Sequence, residues 1–187
     1  QTVKATIAEF LLRQASDAVK LAQRAKVLAA LTQLDPQRRN ELAEAVNTVC
    51  RSIAAQGGRG KVCFSLVQKD GHRYIEVSVQ DQPTGERDQA QRSSEGMRAA
   101  VVQRVGELVD RFDSSGWPVS GAVIRMAQVL SPAFSPPTES EVADWAEMVK
   151  SNTVLDALAF SLRRARTLEV ALEHSRLQER LRAKFQD

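Results

Sequence analysis

Two runs of alternating residues separated by Asp70-Gly71 constrain this chain more than any other feature. Val62, Phe64 and Leu66 alternate with Cys63, Ser65 and Val67, and Ile75, Val77 and Val79 alternate with Glu76 and Ser78. Successive side chains of a strand point to opposite faces, so each run presents a continuous apolar row. An Asp-Gly pair supplies the positive φ angles that a two-residue hairpin turn requires. The middle of the chain is therefore expected to be a β-hairpin with one face that needs covering.

Helical segments flank this hairpin. Val19, Ala22, Ala25, Ala29 and Ala30 recur at helical spacing after the capping types Ser16 and Asp17. Asp35-Pro36 opens a second helix, expected to run to about Ala55, because Asp can accept exposed amides and Pro at the first helical position loses no needed donor. Its Leu42, Ala45, Val46, Val49 and Ile53 share one face, and Gln56-Gly57-Gly58-Arg59-Gly60 stops it. Val3 to Leu12 fits either a short strand or a helix. The polar stretch Gln80 to Glu95 reads as a loop, Met97 to Phe112 as a helix, and Ala122 to Leu130 as a closing strand. The order helix, helix, strand, strand, loop, helix, strand implies an α+β fold, a two-layer sandwich of a mixed sheet with helices on one face.

Ser131 to Pro137 contains three prolines, which marks 132–137 as a linker between a body at 1–131 and a helical extension at 138–187. Thr138 and Glu141 have capping-box spacing. Beyond Asn152 there is no glycine or proline, and Leu155, Leu158, Leu162, Ala165, Leu168, Leu172, Leu177 and Leu181 mark a long helix. Such a stripe needs burial, either against the body or in a dimer, and the interspersed Arg and Glu favour a coiled-coil homodimer. Trp117 and Trp145 are expected in the core.

With 187 residues the chain can bury a substantial core, and a net charge of +3 is too small to mark a nucleic-acid or membrane partner. No apolar run approaches the ~20 residues of a membrane helix. Cys50 and Cys63 lack metal-ligand spacing and are expected as reduced thiols, which with the absence of a signal-peptide pattern points to the cytoplasm. His72 and His174 have no ligand partners at suitable spacing and read as solvated.

Several phrases resemble the GHKL superfamily of gyrase, heat-shock chaperone, histidine kinase and MutL ATPases, and among them the anti-sigma-factor serine kinases. Glu41-Leu42-Ala43-Glu44-Ala45-Val46 leading to Ile53-Ala54 resembles the helix that carries the family's N-box. Tyr74 to Val79, closed by Asp81 and followed by Gly85, is similar to the approach to the adenine-binding Asp-x-Gly-x-Gly motif. Gly96-Met97-Arg98-Ala99-Ala100-Val101-Val102 resembles the entry of the helix after the ATP lid, and Gly121 to Leu130 the closing strand. The likeness covers roughly residues 15 to 131.

The resemblance implies ATP as ligand, a helix carboxylate that polarises the attacking group, and one turn later an asparagine that holds magnesium. Counted back from Val62, those places fall on Thr48 and Ser52; in a second register Glu44 takes the carboxylate place and Thr48 the asparagine place. A hydroxyl is no base at neutral pH and a poor magnesium ligand. Asp81 is the retained signature residue, positioned to accept the adenine amino hydrogen. Pro83 replaces the first motif glycine, and only Gly96 remains of the phosphate-binding turn, with Arg98 where a second glycine would stand.

The implied protein is a bacterial-type signal-transduction regulator with a degenerate domain that binds ATP weakly at most. Its partner would be a sigma factor, an anti-anti-sigma factor or a response-regulator-type protein. The alternative is an active ATP-dependent serine or histidine protein kinase with Glu44 as base, and a third reading is an unrelated dimeric α+β adaptor.

Overall fold

A computed structural model describes residues 1–82, 95–117 and 121–186. The chain is α+β, with five strands and five helices among the described residues. The elements are β1 (Thr2–Leu12), α1 (Ser16–Leu31), α2 (Pro36–Ala55), β2 (Arg59–Lys69), β3 (His72–Gln82), α3 (Glu95–Leu108), β4 (Arg111–Asp113), β5 (Val123–Val129), α4 (Glu139–Ser151) and α5 (Val154–Gln186).

The strands form one sheet in the order β1-β2-β3-β5-β4. Every pairing is antiparallel, so the sheet is not the mixed one expected from the sequence. The cause is local at both ends. Asp70 and Gly71 take φ of 52° and 77° and fold β2 back on β3, while β4 pairs with β5, which follows it closely in the chain and also joins the free edge of β3.

The register brings the apolar rows into line. Val62 pairs with Val79 and Phe64 with Val77, and across the next strand Val79 meets Ile124 and Val77 meets Met126. This face packs beneath α1 and α2, where Leu21, Leu28, Leu42, Val46, Val49 and Ile53 are buried. Alanines fill much of α1, with Ala18, Ala25 and Ala29 fully enclosed, and they let α1 lie close against α2. The other face carries Lys4, Glu76, Arg125 and Asp113 in a chain of ion pairs.

The ambiguous N-terminal run is strand β1, at the sheet edge, with a bulge between Thr6 and Ala8. Tertiary pairing settles a local tie here: Phe10 lies opposite Val62 and packs edge-on to Phe64 at 5.6 Å. Asp35 caps α2 by accepting from the Arg38 amide at 3.0 Å, as its sequence position implies. Asp17 acts differently from expectation. Its carboxylate accepts the amides of Arg13 and Gln14, closing the turn before α1, and the N-cap of α1 is Ala15.

The helix expected to reach Phe112 stops at Leu108. Gln128, 1 % exposed, accepts from the Asp110 amide at 2.9 Å and donates to the Leu108 carbonyl at 3.1 Å, and Val129 N donates to the Asp110 carboxylate at 2.8 Å. These bonds turn the chain out of α3 into β4.

The proline-containing segment 132–137 lies against the body. Phe134 is buried beside Trp145, Arg73 donates to its carbonyl at 2.9 Å, and Arg164 donates to the Pro136 carbonyl at 3.1 Å. The capping box of Thr138 and Glu141 starts α4, whose Trp145 and Val149 join the main core along with Ala157 of α5. Both tryptophans, Trp117 and Trp145, are buried. From Arg166 onward α5 is exposed on every side.

Candidate functional site

The residues singled out by their resemblance to a nucleotide site lie on α2, at the end of β3 and at the start of α3. Helix α2 presents Leu42, Val46, Val49 and Ile53 to the sheet, which fixes the rotation of the whole helix and hence of Glu44, Thr48 and Ser52.

Thr48 is half-buried, and its hydroxyl donates to the Glu44 carbonyl at 2.8 Å. This bond back into its own helix is the ordinary way a mid-helix threonine satisfies itself. Ser52 is buried and its Oγ has no hydrogen-bond partner among the described residues. Such an orphan costs free energy unless something else meets it. Asn47, off the candidate face in both registers of the sequence comparison, has a buried Oδ1 that is likewise unmet.

Glu44 is exposed, and its carboxylate is paired with Arg104 of α3. Hydrogen bonding to Glu44, followed by its charge, raises the proton affinity of the Arg104 guanidinium. The pair ties α2 to the helix that carries Arg98. No sequence signal could have found it, because 60 positions separate the partners.

Asp81 is 3 % exposed and sits next to the end of β3, opposite Gly60 of β2. Its amide donates to the Ala122 carbonyl at 3.0 Å, and its carbonyl accepts from the Gly121 amide at 2.7 Å. Gly60 allows this close strand packing, since a Cβ there would stand 3.2 Å from the Gln80 carbonyl oxygen and 3.3 Å from Val79 Cγ1. The strand end thus holds a buried carboxylate in a fixed place.

Gly96 and Arg98 lie in the first turn of α3, and the Arg98 Nε is buried without a partner. Gly85 and Pro83 lie outside the described residues. Glu44 and α3 are therefore brought together directly, while Asp81 is placed by the sheet.

Chemistry follows from the donor set. Thr48 uses its hydroxyl on its own helix, Ser52 offers a lone hydroxyl, and Glu44 faces Arg104. Magnesium favours carboxylate or carboxamide oxygens, so these positions do not fit that ion. Among the described residues no group of three or more His, Cys, Asp or Glu could hold a metal.

The sequence reading missed the opposite face of the sheet. There Val67, Tyr74, Glu76, Arg111, Arg125 and Ala127 line an open concavity of about 630 Å³. The Arg111 guanidinium lies 4.9 Å from the centre of the Tyr74 ring. Strand alternation marks which residues share that face but not that the sheet twists into a hollow.

No protein-family model and no curated protein matches the chain. Its class rests on the α+β architecture, and among the described residues no helix is long and apolar enough to cross a membrane.

Proposed function

We propose that this chain is a signal-transduction regulator whose α+β body is a GHKL-like nucleotide scaffold without phosphoryl-transfer chemistry. It acts by binding a protein partner of the sigma-factor, anti-anti-sigma-factor or response-regulator type. Two free cysteines are in keeping with work in the cytoplasm.

The observation that carries this reading is Ser52, buried with an unmet hydroxyl where the resembling family holds magnesium. Thr48 one turn earlier is closed on its own helix, and the one carboxylate among these α2 positions, Glu44, is engaged by Arg104. Phosphoryl transfer depends on positioned metal and a group that orients the nucleophile. Neither requirement is met by these side chains. The buried Asp81 at the end of β3 supports retention of adenine contact at most, so any ATP held is held weakly and independently of magnesium.

Isothermal titration with ATP, with and without magnesium, tests the proposal. It expects weak or undetectable heat that magnesium does not change. Tight magnesium-dependent binding would favour the active-kinase alternative, with Glu44 released from Arg104 to act as base.

A further inference from the structure

The face of the sheet turned away from α1 and α2 is a grid whose rows follow from the register. Val67 of β2, Tyr74 of β3 and Val129 of β5 stand in one row, and Glu76, Ala127 and Arg111 of β3, β5 and β4 in the next. Ala127 is the smallest of these six side chains and sits between two long ones, which leaves the concavity of about 630 Å³ above it. The floor is apolar. Val67, Tyr74 and Ala127 are 8 %, 6 % and 6 % exposed and form a small cluster separate from the main core.

The charges at the rim are unevenly matched. Glu76 meets Lys4 at 3.6 Å and Arg125 at 3.8 Å, and Asp113 meets Arg125 at 3.7 Å. Asp110 is engaged by Arg38 and by the Val129 amide. Lys69 and Arg111 stand on opposite flanks, on β2 and β4, and neither has a carboxylate partner among the described residues. Arg111 reaches across Ala127 to lie over the Tyr74 ring, 4.9 Å from its centre. Contact with a ring face holds a guanidinium in place and leaves the N–H donors along its edge free for an acceptor. An apolar floor therefore adjoins an anchored cation that lacks a counter-ion.

We infer that this concavity binds a small aromatic carboxylate. A flat ring covers Val67, Tyr74 and Ala127, and the carboxylate takes the planar fork of Arg111, whose paired donors match its two oxygens. Size agrees, since small-molecule pockets usually enclose ~300–1,000 Å³. The sign of the charge follows from the rim. An aromatic ammonium would face Lys69 and Arg111, while Glu76 and Asp113 already have cations. A phosphate ester fits less well, because its second negative charge would lie near those two carboxylates. The concavity is on the other side of the sheet from α2, so this inference goes beyond the nucleotide reading and stands or falls separately.

Tyr74 is the one tyrosine of the chain, so fluorotyrosine incorporated into the full chain yields a single fluorine NMR signal, from the floor of the concavity. Titration with naphthoate should move this signal saturably. Binding should be at least about tenfold tighter than for the uncharged naphthamide or the cationic naphthylmethylamine, with the gap narrowing as salt is raised. Arg111→Gln should remove the preference for the carboxylate, and Ala127→Leu, which fills the hollow, should block all three ligands. Arg111 is exposed, so its substitution should leave the thermal melt unchanged and keeps the test decisive even if Ala127→Leu fails to fold. The inference is overturned by a naphthoate titration that does not saturate, by equal affinity for naphthoate and naphthamide, or by a preference that survives Arg111→Gln. Tighter binding of naphthyl phosphate than of naphthoate would overturn the carboxylate assignment. Each of these results leaves the reading of the α2 positions untouched.

Discussion

The guanidinium of Arg164 in α5 donates through Nε to the Glu141 carboxylate in α4 at 2.6 Å, and its other arm reaches the Pro136 carbonyl at 3.1 Å. The same group lies 5.6 Å from the centre of the Trp145 ring. One side chain therefore fastens the long helix, the short helix and the proline segment together. Replacing Arg164 with Ala should lower stability by at most about 2 kcal/mol, because Glu141 is 27 % exposed and water screens the pair. Urea denaturation checks this.

The same pair sets a pH dependence. The hydrogen bond from Arg164 lowers the Glu141 carboxyl below its ordinary value, with burial opposing. A carboxyl lowered in the folded state binds fewer protons there than when unfolded, so its stabilisation is present above the unfolded value of about 4.3 and fades as pH falls through the folded value. The stability difference between wild type and Arg164→Ala should be constant near neutrality and shrink below about pH 4. A difference that grows on acidification would contradict the assignment.

The two thiols should react very differently. Burial, aided by the charge of Asp17, pushes the Cys50 thiol up to about 12, whereas Cys63 is half-buried on β2. Only the thiolate is a nucleophile. Alkylation of native protein at neutral pH should modify Cys63 first and leave Cys50 intact until unfolding, as peptide mass mapping would reveal.

Gln128 joins three segments through one buried amide. Besides its bonds to Asp110 and Leu108, it approaches the Arg38 carbonyl at 3.4 Å. Substitution by Leu would leave the Asp110 amide and the Leu108 carbonyl unmet, at a cost of about 3 kcal/mol. A loss below about 1 kcal/mol in urea would mean that water substitutes for the side chain.

Ser52→Ala removes a buried hydroxyl that has no partner. Without a ligand that uses this oxygen, the change should be neutral or stabilising by up to about 1 kcal/mol. Measured instead as a loss of ATP affinity, it would show that the hydroxyl contacts the nucleotide.

The parts of the fold legible in the sequence were those set by local chemistry. Asp70-Gly71, Asp35-Pro36 and the Thr138 to Glu141 spacing each specify a turn or cap within four residues, and each is found in the structure. Strand β4 and the early end of α3 were not legible, because they depend on Gln128, Asp110 and Arg38 meeting across the fold. Glu44 was legible as a candidate carboxylate. Its engagement by Arg104 was not, since a helix face shows which residues project from it and never what stands opposite.

The central claim is that the α2 positions cannot support phosphoryl transfer. Phosphate release from γ-labelled ATP by the full chain, with magnesium present, tests it most directly. The account predicts release no faster than in buffer alone, in wild type and in Glu44→Gln alike. Magnesium-dependent release or labelling of a protein by the wild type, lost in Glu44→Gln, would contradict it.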